Sequence, residues 1–349
     1  MRTHLFIFAA ACIAALTACN DKASSPDIES SSSDESSNHS WIPESSSEQD
    51  SPVWSSSTMS SSSIPLYSSS EHIPHALSSS AEPHVDYSSS IEESSSSEVI
   101  EPSPEIVLDK DGFATVANVY KSLSPDEKAV FIIRHSERED DVALETELTA
   151  NGIQMAQDLG ATLKSEEDFS YVTSGFVRTN EIANHISKGR GEATLPKLIT
   201  NYDITGNWFL KISADSLAKQ ATALGLKGSS IELMARWAYE GGYPETFYEM
   251  EPRAQEFMQA VILKNLSKWK RVTIMVSHDI FVMPLAVFGS QKKVALKYHE
   301  DYHWINYIAG LAVIADAQNN LRYIPVKGAD SGVIDYLALY MAEHKIYTK

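Results

Sequence analysis

Thiols are nearly absent from this chain. Cys12 and Cys19 are its only cysteines, so residues 20–349 hold no disulfide framework, no cysteine-ligated zinc and no cysteine nucleophile. Long apolar runs are scarce as well. The longest covers residues 5–16, short of the roughly 20 that a bilayer-spanning helix requires. Basic residues are outnumbered, with 28 Lys and Arg against 47 Asp and Glu and a net charge of −19. No basic patch is available to neutralise nucleic-acid phosphates, which argues against such a partner.

These shortages are unevenly spread. Within residues 19–104 serine triplets and quadruplets recur about every ten residues, and fifteen acidic residues face Lys22 alone. Periodic units can stack into a solenoid, but these hold too little apolar sequence to form a core. The composition predicts a disordered acidic linker, a tether holding the rest of the chain away from a membrane. Its aromatic islands, Trp41-Ile42-Pro43 and Val53-Trp54, read as sticky spots in that tether, with short binding motifs as the alternative. Residues 1–18 combine Arg2, the short apolar run and Leu16-Thr17-Ala18 ahead of Cys19, the pattern of a signal peptide. The Leu-Thr-Ala-Cys box resembles the site where bacterial lipoproteins are cleaved just before a lipidated cysteine. That resemblance implies that Cys19 becomes the mature N-terminus, carries the lipid and anchors the protein to a membrane of the bacterial cell envelope. The alternative is an ordinary secretory peptide cut after a small residue.

Residues 105–349 have the apolar content to build their own core. Apolar, β-branched runs predict strands over 129–133, 171–173, 272–277, 307–315 and 321–325. Helical spacing predicts helices over 149–163, 178–188, 251–269 and 334–343, with Thr149 as an N-cap. The alternation predicts an α/β fold, a three-layer helix/sheet/helix sandwich around a mostly parallel central sheet. Residues 200–250 fit least well and read as a helical insertion, either a cap over the site or surface elaboration. Its tryptophans, Trp208 and Trp237, read as packing residues.

Three predicted strand ends carry polar chemistry. The run Phe131-Ile132-Ile133 stops at Arg134-His135-Ser136-Glu137-Arg138. Tyr171-Val172-Thr173 leads through Ser174-Gly175 into a helix bearing Arg178-Thr179, and Val272–Ser277 ends in His278-Asp279. Parallel strands bring such ends to one rim, where open α/β sheets bind ligands. Guanidiniums flanking an imidazole suit a doubly charged oxyanion, because an arginine fork matches phosphate oxygens and stays charged.

The order Arg-His-x-x-Arg, then Ser-x-x-x-Arg-Thr, then Ser-His-Asp resembles the histidine phosphatase superfamily, with its phosphoglycerate mutase-like fold. Leu148-Thr149-Ala150-Asn151-Gly152 resembles the Leu-Thr-x-x-Gly that opens that family's first helix, and Trp304-Ile305-Asn306-Tyr307 its late-strand segment. Matches in order span residues 128–316, which is far more specific than any single motif.

The resemblance implies that His135 attacks phosphorus and becomes a phosphohistidine. To attack, it must be neutral, with its other ring nitrogen donating to a carbonyl. Arg134, Arg138 and Arg178 would clamp the phosphoryl oxygens with His278 as a further donor, since phosphoryl transfer calls mostly for positioning and charge stabilisation. Asp279 matches the His-Asp of the acid phosphatase branch, where it protonates the leaving group, and it could later activate water. Such a donor must be protonated, so a mildly acidic to neutral optimum is expected. No cofactor or metal is implied. His185, His299, His303 and His344 lack ligand spacing and read as surface or packing residues; His299 and His303 would meet one metal only on a helix.

Two departures from the family pattern stand out. Ser136 replaces the usual small residue after the nucleophile. The mutase-like branch uses a glutamate before a Gly-x-Trp segment; here Tyr202 aligns with it in Asn201–Trp208, and Asp203, one place on, is an alternative donor. The leading expectation is an exported, lipid-anchored phosphomonoesterase acting on a small-molecule phosphate ester. A phosphotransferase or mutase with the same covalent step, and a silent surface protein binding a phospho-ligand or carbohydrate, are the alternatives.

Overall fold

The computed structural model describes residues 105–226 and 230–344. The signal segment 1–18, Cys19 and the linker 19–104 lie outside the described residues. No helix among the described residues is long and apolar enough to cross a membrane.

The strands are β1 (Ala114–Thr115), β2 (Lys128–Arg134), β3 (Phe169–Thr173), β4 (Leu198–Thr200), β5 (Val272–Ser277), β6 (His303–Ile305), β7 (Ala309–Ala315), β8 (Leu321–Lys327) and β9 (Val333–Asp335). Seven of them form one sheet in the order β1-β8-β7-β2-β5-β3-β4, and β6 pairs with β9 separately. Only β7 runs against its neighbours in the large sheet. The central strands read Lys-Ala-Val-Phe-Ile-Ile-Arg, Val-Thr-Ile-Met-Val-Ser and Ala-Gly-Leu-Ala-Val-Ile-Ala, and nearly every residue in them is buried. Continuous apolar runs of this kind belong to a sheet covered on both faces.

The helices supply that cover. They are α1 (Val116–Lys121), α2 (Ala150–Thr162), α3 (Val177–Arg190), α4 (Ala214–Ala223), α5 (Ser230–Glu240), α6 (Met250–Phe257), α7 (Asp279–Gly289), α8 (Tyr298–Asp301) and α9 (Tyr336–Glu343). Strand β2 divides its side chains by the two-residue period. Val130 and Ile132 pack with Trp237, Phe257 and Phe281 from α5, α6 and α7. Phe131 and Ile133 pack with Val119, Leu159 and Ile182 from α1, α2 and α3. This is the expected helix/sheet/helix sandwich with a mostly parallel sheet.

Register places the chemistry. Arg134 pairs with Ser277 and Thr173 with Val276, so β2, β3 and β5 end together on one rim. The loop after β2 is then pressed onto α2. Thr149 caps that helix through Gly152 N–H at 3.0 Å, and its own N–H donates to Glu137 O at 3.2 Å. A Cβ at Gly152 would stand 1.9 Å from that same carbonyl oxygen. Only glycine lets the loop lie against the helix there.

Several expectations need correction. The strand expected over 307–315 starts at Ala309, because Ile308 takes a positive φ of 48°. That conformation is rare for a β-branched residue, and it turns Asn306 and Tyr307 off the sheet. The helix expected over 334–343 begins at Tyr336. Val333–Asp335 instead pairs antiparallel with β6, and Asp335 caps the helix by accepting from Ala338 N–H at 2.8 Å. The helix expected over 251–269 starts at Met250 and continues beyond α6 as a π-helical stretch, Met258–Leu263.

The insertion holds a 3₁₀ turn (Tyr202–Ile204), α4 and α5. Its tryptophans pack as expected. Trp237 stacks on Phe247 with centroids 4.5 Å apart, and the Trp208 indole N–H donates to Arg253 O at 2.9 Å. The turn is pinned to the sheet by Ser277 Oγ, which donates to Ile204 O at 2.6 Å.

Candidate active site

Arg134, His135, Arg178 and His278 converge at the shared rim, and each is at most 7% exposed. Burying two guanidiniums together is costly unless negative charge meets them. Among the described residues, Asp279 forms the cluster's only carboxylate ion pair, with Oδ2 3.4 Å from Arg134 Nη2. The other guanidinium bonds go to backbone carbonyls and to His278: Arg134 Nη1 to Ile305 O at 2.7 Å, Arg178 Nη1 to Ala143 O at 2.8 Å and Arg178 Nη2 to His278 Nδ1 at 3.3 Å. The Nε groups of both arginines are buried without a hydrogen-bond partner, as is Ser136 Oγ. The pocket therefore presents an excess of positive charge and of unanswered donors, which is what an oxyanion satisfies.

The orientation of His135 follows from one bond. Its Nδ1 lies 2.7 Å from Ser136 O, and a carbonyl only accepts, so Nδ1 carries the proton and Nε2 keeps its lone pair. Burial, then Arg134 and His278, hold its pKa well below the usual histidine value. The ring is neutral at physiological pH.

His278 sits 5.4 Å away, centroid to centroid, at a steep interplanar angle. A chain of bonds fixes its tautomer. Thr179 Oγ1 donates to Phe176 O at 2.8 Å, so toward Ser174 Oγ, 3.1 Å away, it accepts. Ser174 Oγ in turn accepts from His278 Nε2 at 2.9 Å. His278 Nδ1 is left as the acceptor facing Arg178 Nη2 at 3.3 Å. Burial and Arg178 push its pKa down to about 3. In this state both ring nitrogens are engaged, and His278 offers a phosphate a proton only if Nδ1 gains one.

Asp279 opens α7 directly after His278. Its Oδ1 accepts from Ile280 N–H at 2.9 Å, and Oδ2 from the Trp304 indole N–H at 3.1 Å. Burial pushes its pKa up, but Arg134, the indole N–H and the Ile280 N–H outweigh that and hold it at about 2. Asp279 is a carboxylate here, which differs from the protonated donor expected from the sequence.

Arg138 and Asp203 stand apart from this cluster. Arg138 is half-buried, and its Nη1 donates to the carbonyls of Glu139, at 2.6 Å, and Asp141. Its charge still reaches the cluster, lowering the pKa of Arg178 after burial, the larger cause. Asp203 is exposed, with its backbone N–H bonded to Asn201 Oδ1 at 2.8 Å, and no ion pair joins it to the arginines among the described residues. Trp304, Ser174 and the Ile305 carbonyl were not singled out for a role in the sequence. Trp304 was visible only within a resembling segment, and a backbone acceptor leaves no sequence signal.

A surface cavity of about 730 Å³, lined by Arg190, Glu192 and Lys270 among others, lies at the opposite end of the strands. Several of its charges are already paired, Arg190 with Glu192 at 2.8 Å and Lys270 with Asp168 at 3.0 Å. The unsatisfied groups, and not this cavity, mark the candidate site.

Residues 130–287 match the model of the histidine phosphatase superfamily, branch 1. This domain belongs to that superfamily. The match spans β2 through most of α7 and so contains Arg134, His135, Arg178, His278 and Asp279. Among solved structures, a phosphoglycerate mutase from Bacillus anthracis is 16% identical, covering 61% of this chain and 96% of its own, with a TM-score of 0.41. A mycobacterial glucosyl-3-phosphoglycerate phosphatase is 14% identical, covering 58% of this chain and all of its own (100%), with a TM-score of 0.37. No curated protein matches the chain.

Proposed function

We propose that this histidine phosphatase domain is a phosphomonoesterase that works through a phosphohistidine on His135. The observation that carries the reading is the neutral His135, with its lone pair on Nε2, set beside buried Arg134 and Arg178. The Nε2 lone pair forms a bond to phosphorus as the P–O ester bond breaks. Arg134 and Arg178 hold the equatorial oxygens, Arg138 adds charge from the rim, and the Ser136 hydroxyl supplies a further donor. A protonated His278 Nδ1 would add another, and a bound dianion favours that protonation.

The alkoxide that leaves needs a proton, and Asp279 is the group we assign to deliver it. It is ionised in the free protein. A dianion seated against Arg134 offsets the guanidinium charge that keeps the carboxyl low, so its pKa rises once the ester is bound. In the second half, the Asp279 carboxylate takes a proton from water as water attacks phosphorus and the P–N bond breaks. Inorganic phosphate leaves and His135 is regenerated. The ion pair with Arg134 favours Asp279 over Asp203 for this role.

The decisive experiment follows p-nitrophenyl phosphate hydrolysis in EDTA from pH 4 to 8, beside His135→Ala. Turnover that survives EDTA and disappears in the variant supports the proposal. A folded protein with no turnover, or one whose His135→Ala variant still turns over, overturns it. Adding an alcohol acceptor separates hydrolysis from transfer: phosphate released in step with nitrophenol means a hydrolase.

We further propose, from the sequence of residues 1–19 alone, that the enzyme is exported and held at the cell envelope by a lipid on Cys19. Cys19→Ala should move it from the membrane fraction to the soluble one. An unchanged distribution would remove the anchor from this reading.

A further inference from the structure

Outside the phosphate site, a second polar cluster lies between the end of α5 and α8. Glu240 closes α5, while His299 and Glu300 lie on α8. The His299 side chain is 97% buried, since only 3% of it is exposed. Yet neither of its ring nitrogens has a hydrogen-bond partner. A buried polar atom without a hydrogen bond is costly, and Nε2, the one that faces acidic side chains, calls for an explanation.

Nε2 points at carboxylates. Glu240 Oε1 is 3.1 Å away and Glu300 Oε1 is 3.7 Å away. One ligand atom from each of the three residues falls within 4.8 Å of the others. Two ligands about 2.1 Å from a tetrahedral zinc ion stand roughly 3.4 Å apart. The two measured separations bracket that spacing.

We propose that Glu240, His299 and Glu300 form a binding site for a divalent transition metal, with zinc as the ion that best fits one imidazole and two carboxylates.

A metal ligand must be a neutral imidazole with a lone pair to give. Coordination through Nε2 satisfies the nitrogen that faces the carboxylates. One local cation competes at Glu300 and must yield Oε1 to the ion while keeping Oε2. Lys297 Nζ bonds Glu300 at 3.1 Å to Oε2 and 3.3 Å to Oε1, and Arg236 is bound to Glu232 at 2.8 Å. Both remain to balance the acidic side chains. Three protein ligands leave a position for water, and the two glutamates are each about half exposed, so the ion has an entry path.

The position suggests what the metal does. Tyr239, beside Glu240, already ties α5 to the segment before α8, donating to Val294 O at 2.5 Å and accepting from Leu296 N–H at 3.2 Å. Five and six residues after His299 come Trp304, which holds Asp279, and Ile305, which holds Arg134. A metal at this point would staple the insertion to the strand that positions the phosphate site. Sequence spacing could not reveal it, since the partners of His299 are Glu240 and its own neighbour, and His303 lies on β6 off the helix.

The test uses the full untagged chain, stripped with EDTA and dialysed, then titrated with Co²⁺ or Zn²⁺. One Co²⁺ per chain with visible d–d bands, together with a Tm several degrees higher in excess Zn²⁺, is the expected result. In His299→Ala the bands and the Tm shift should vanish. Glu240→Gln, a change at a half-exposed position, should weaken binding at least tenfold and serves if His299→Ala fails to fold. No d–d bands and an unmoved Tm would mean that Glu240 and His299 are only close neighbours that hold no metal. Binding that persists unchanged in a folded His299→Ala or in Glu240→Gln would place the metal elsewhere. Either result overturns the site.

Discussion

The Trp304 indole N–H donates to Asp279 Oδ2 at 3.1 Å, and Arg134 Nη2 lies 3.4 Å from the same oxygen. Two residues from separate strands thus help to hold one carboxylate ionised. Removing the indole N–H removes one of the groups that lower its pKa. Trp304→Phe should therefore move the pH–rate profile toward higher pH by up to about one unit, the equivalent of one hydrogen bond. The direction is the same whether Asp279 limits the rate as acid or as base. An unmoved profile in a folded variant would detach Asp279 from the rate.

The two candidate donors make opposite predictions. Losing a general acid typically costs about 10²–10⁴-fold in rate. Asp279→Asn should show such a loss in kcat for phenyl phosphate, whose leaving oxygen is basic enough to need that proton, with KM changed far less. Asp203→Asn, at an exposed residue outside the arginine cluster, should stay within about threefold of the parent by the same comparison. Exchanged results would transfer the role to Asp203.

Much of this site was legible because its chemistry is carried by side chains at strand ends. Arg134, His135, Arg178, His278 and Asp279 each follow an apolar run or a turn, and a parallel sheet has one place for such ends. The sandwich was legible for a similar reason: β5 and β7 are buried on both faces and read as unbroken apolar runs. What escaped were features set by distant partners. The ionised state of Asp279 depends on Trp304 and Arg134. The start of α9 depends on Val333–Asp335 pairing with β6, which outweighs the helical spacing of the same residues. The short strands β1 and β4 each depend on a neighbouring strand and hold too few residues to show a period.

The arginines divide by burial. Arg178 is 5% exposed and its Nε has no partner, whereas Arg138 is half-buried and committed to loop carbonyls. Truncating a buried charged donor aimed at a dianion costs about 2–4 kcal/mol of transition-state stabilisation. Arg178→Ala should accordingly reduce kcat/KM by about 10² or more, and Arg138→Ala by about tenfold. Steady-state kinetics on both variants checks the ranking, and an equal loss in the two would show that the rim arginine also clamps the phosphate.

The same burial that keeps His278 neutral predicts how the fold responds to acid. Its pKa is about 3 in the native state against an ordinary value of 6.5. As pH falls from 6.5 toward 3, the unfolded chain takes up a proton that the native chain refuses. Stability is therefore lost across that window, at about 1.4 kcal/mol per pH unit for each such histidine. His135, lowered mainly by burial and Arg134, contributes with the same sign, as do His185 and His299. Asp279 does not share this window. Its lowered carboxyl stabilises the fold above its ordinary value of 3.8 and loses that contribution only as pH falls toward about 2. Replacing His278 with glutamine removes one titrating group and keeps a polar side chain facing Ser174. The loss between pH 7 and pH 5 should then shrink by about 2 kcal/mol, read from urea unfolding midpoints at the two pH values. Parallel losses in parent and variant would show that His278 titrates normally and that the cluster accepts a third positive charge without a bound anion.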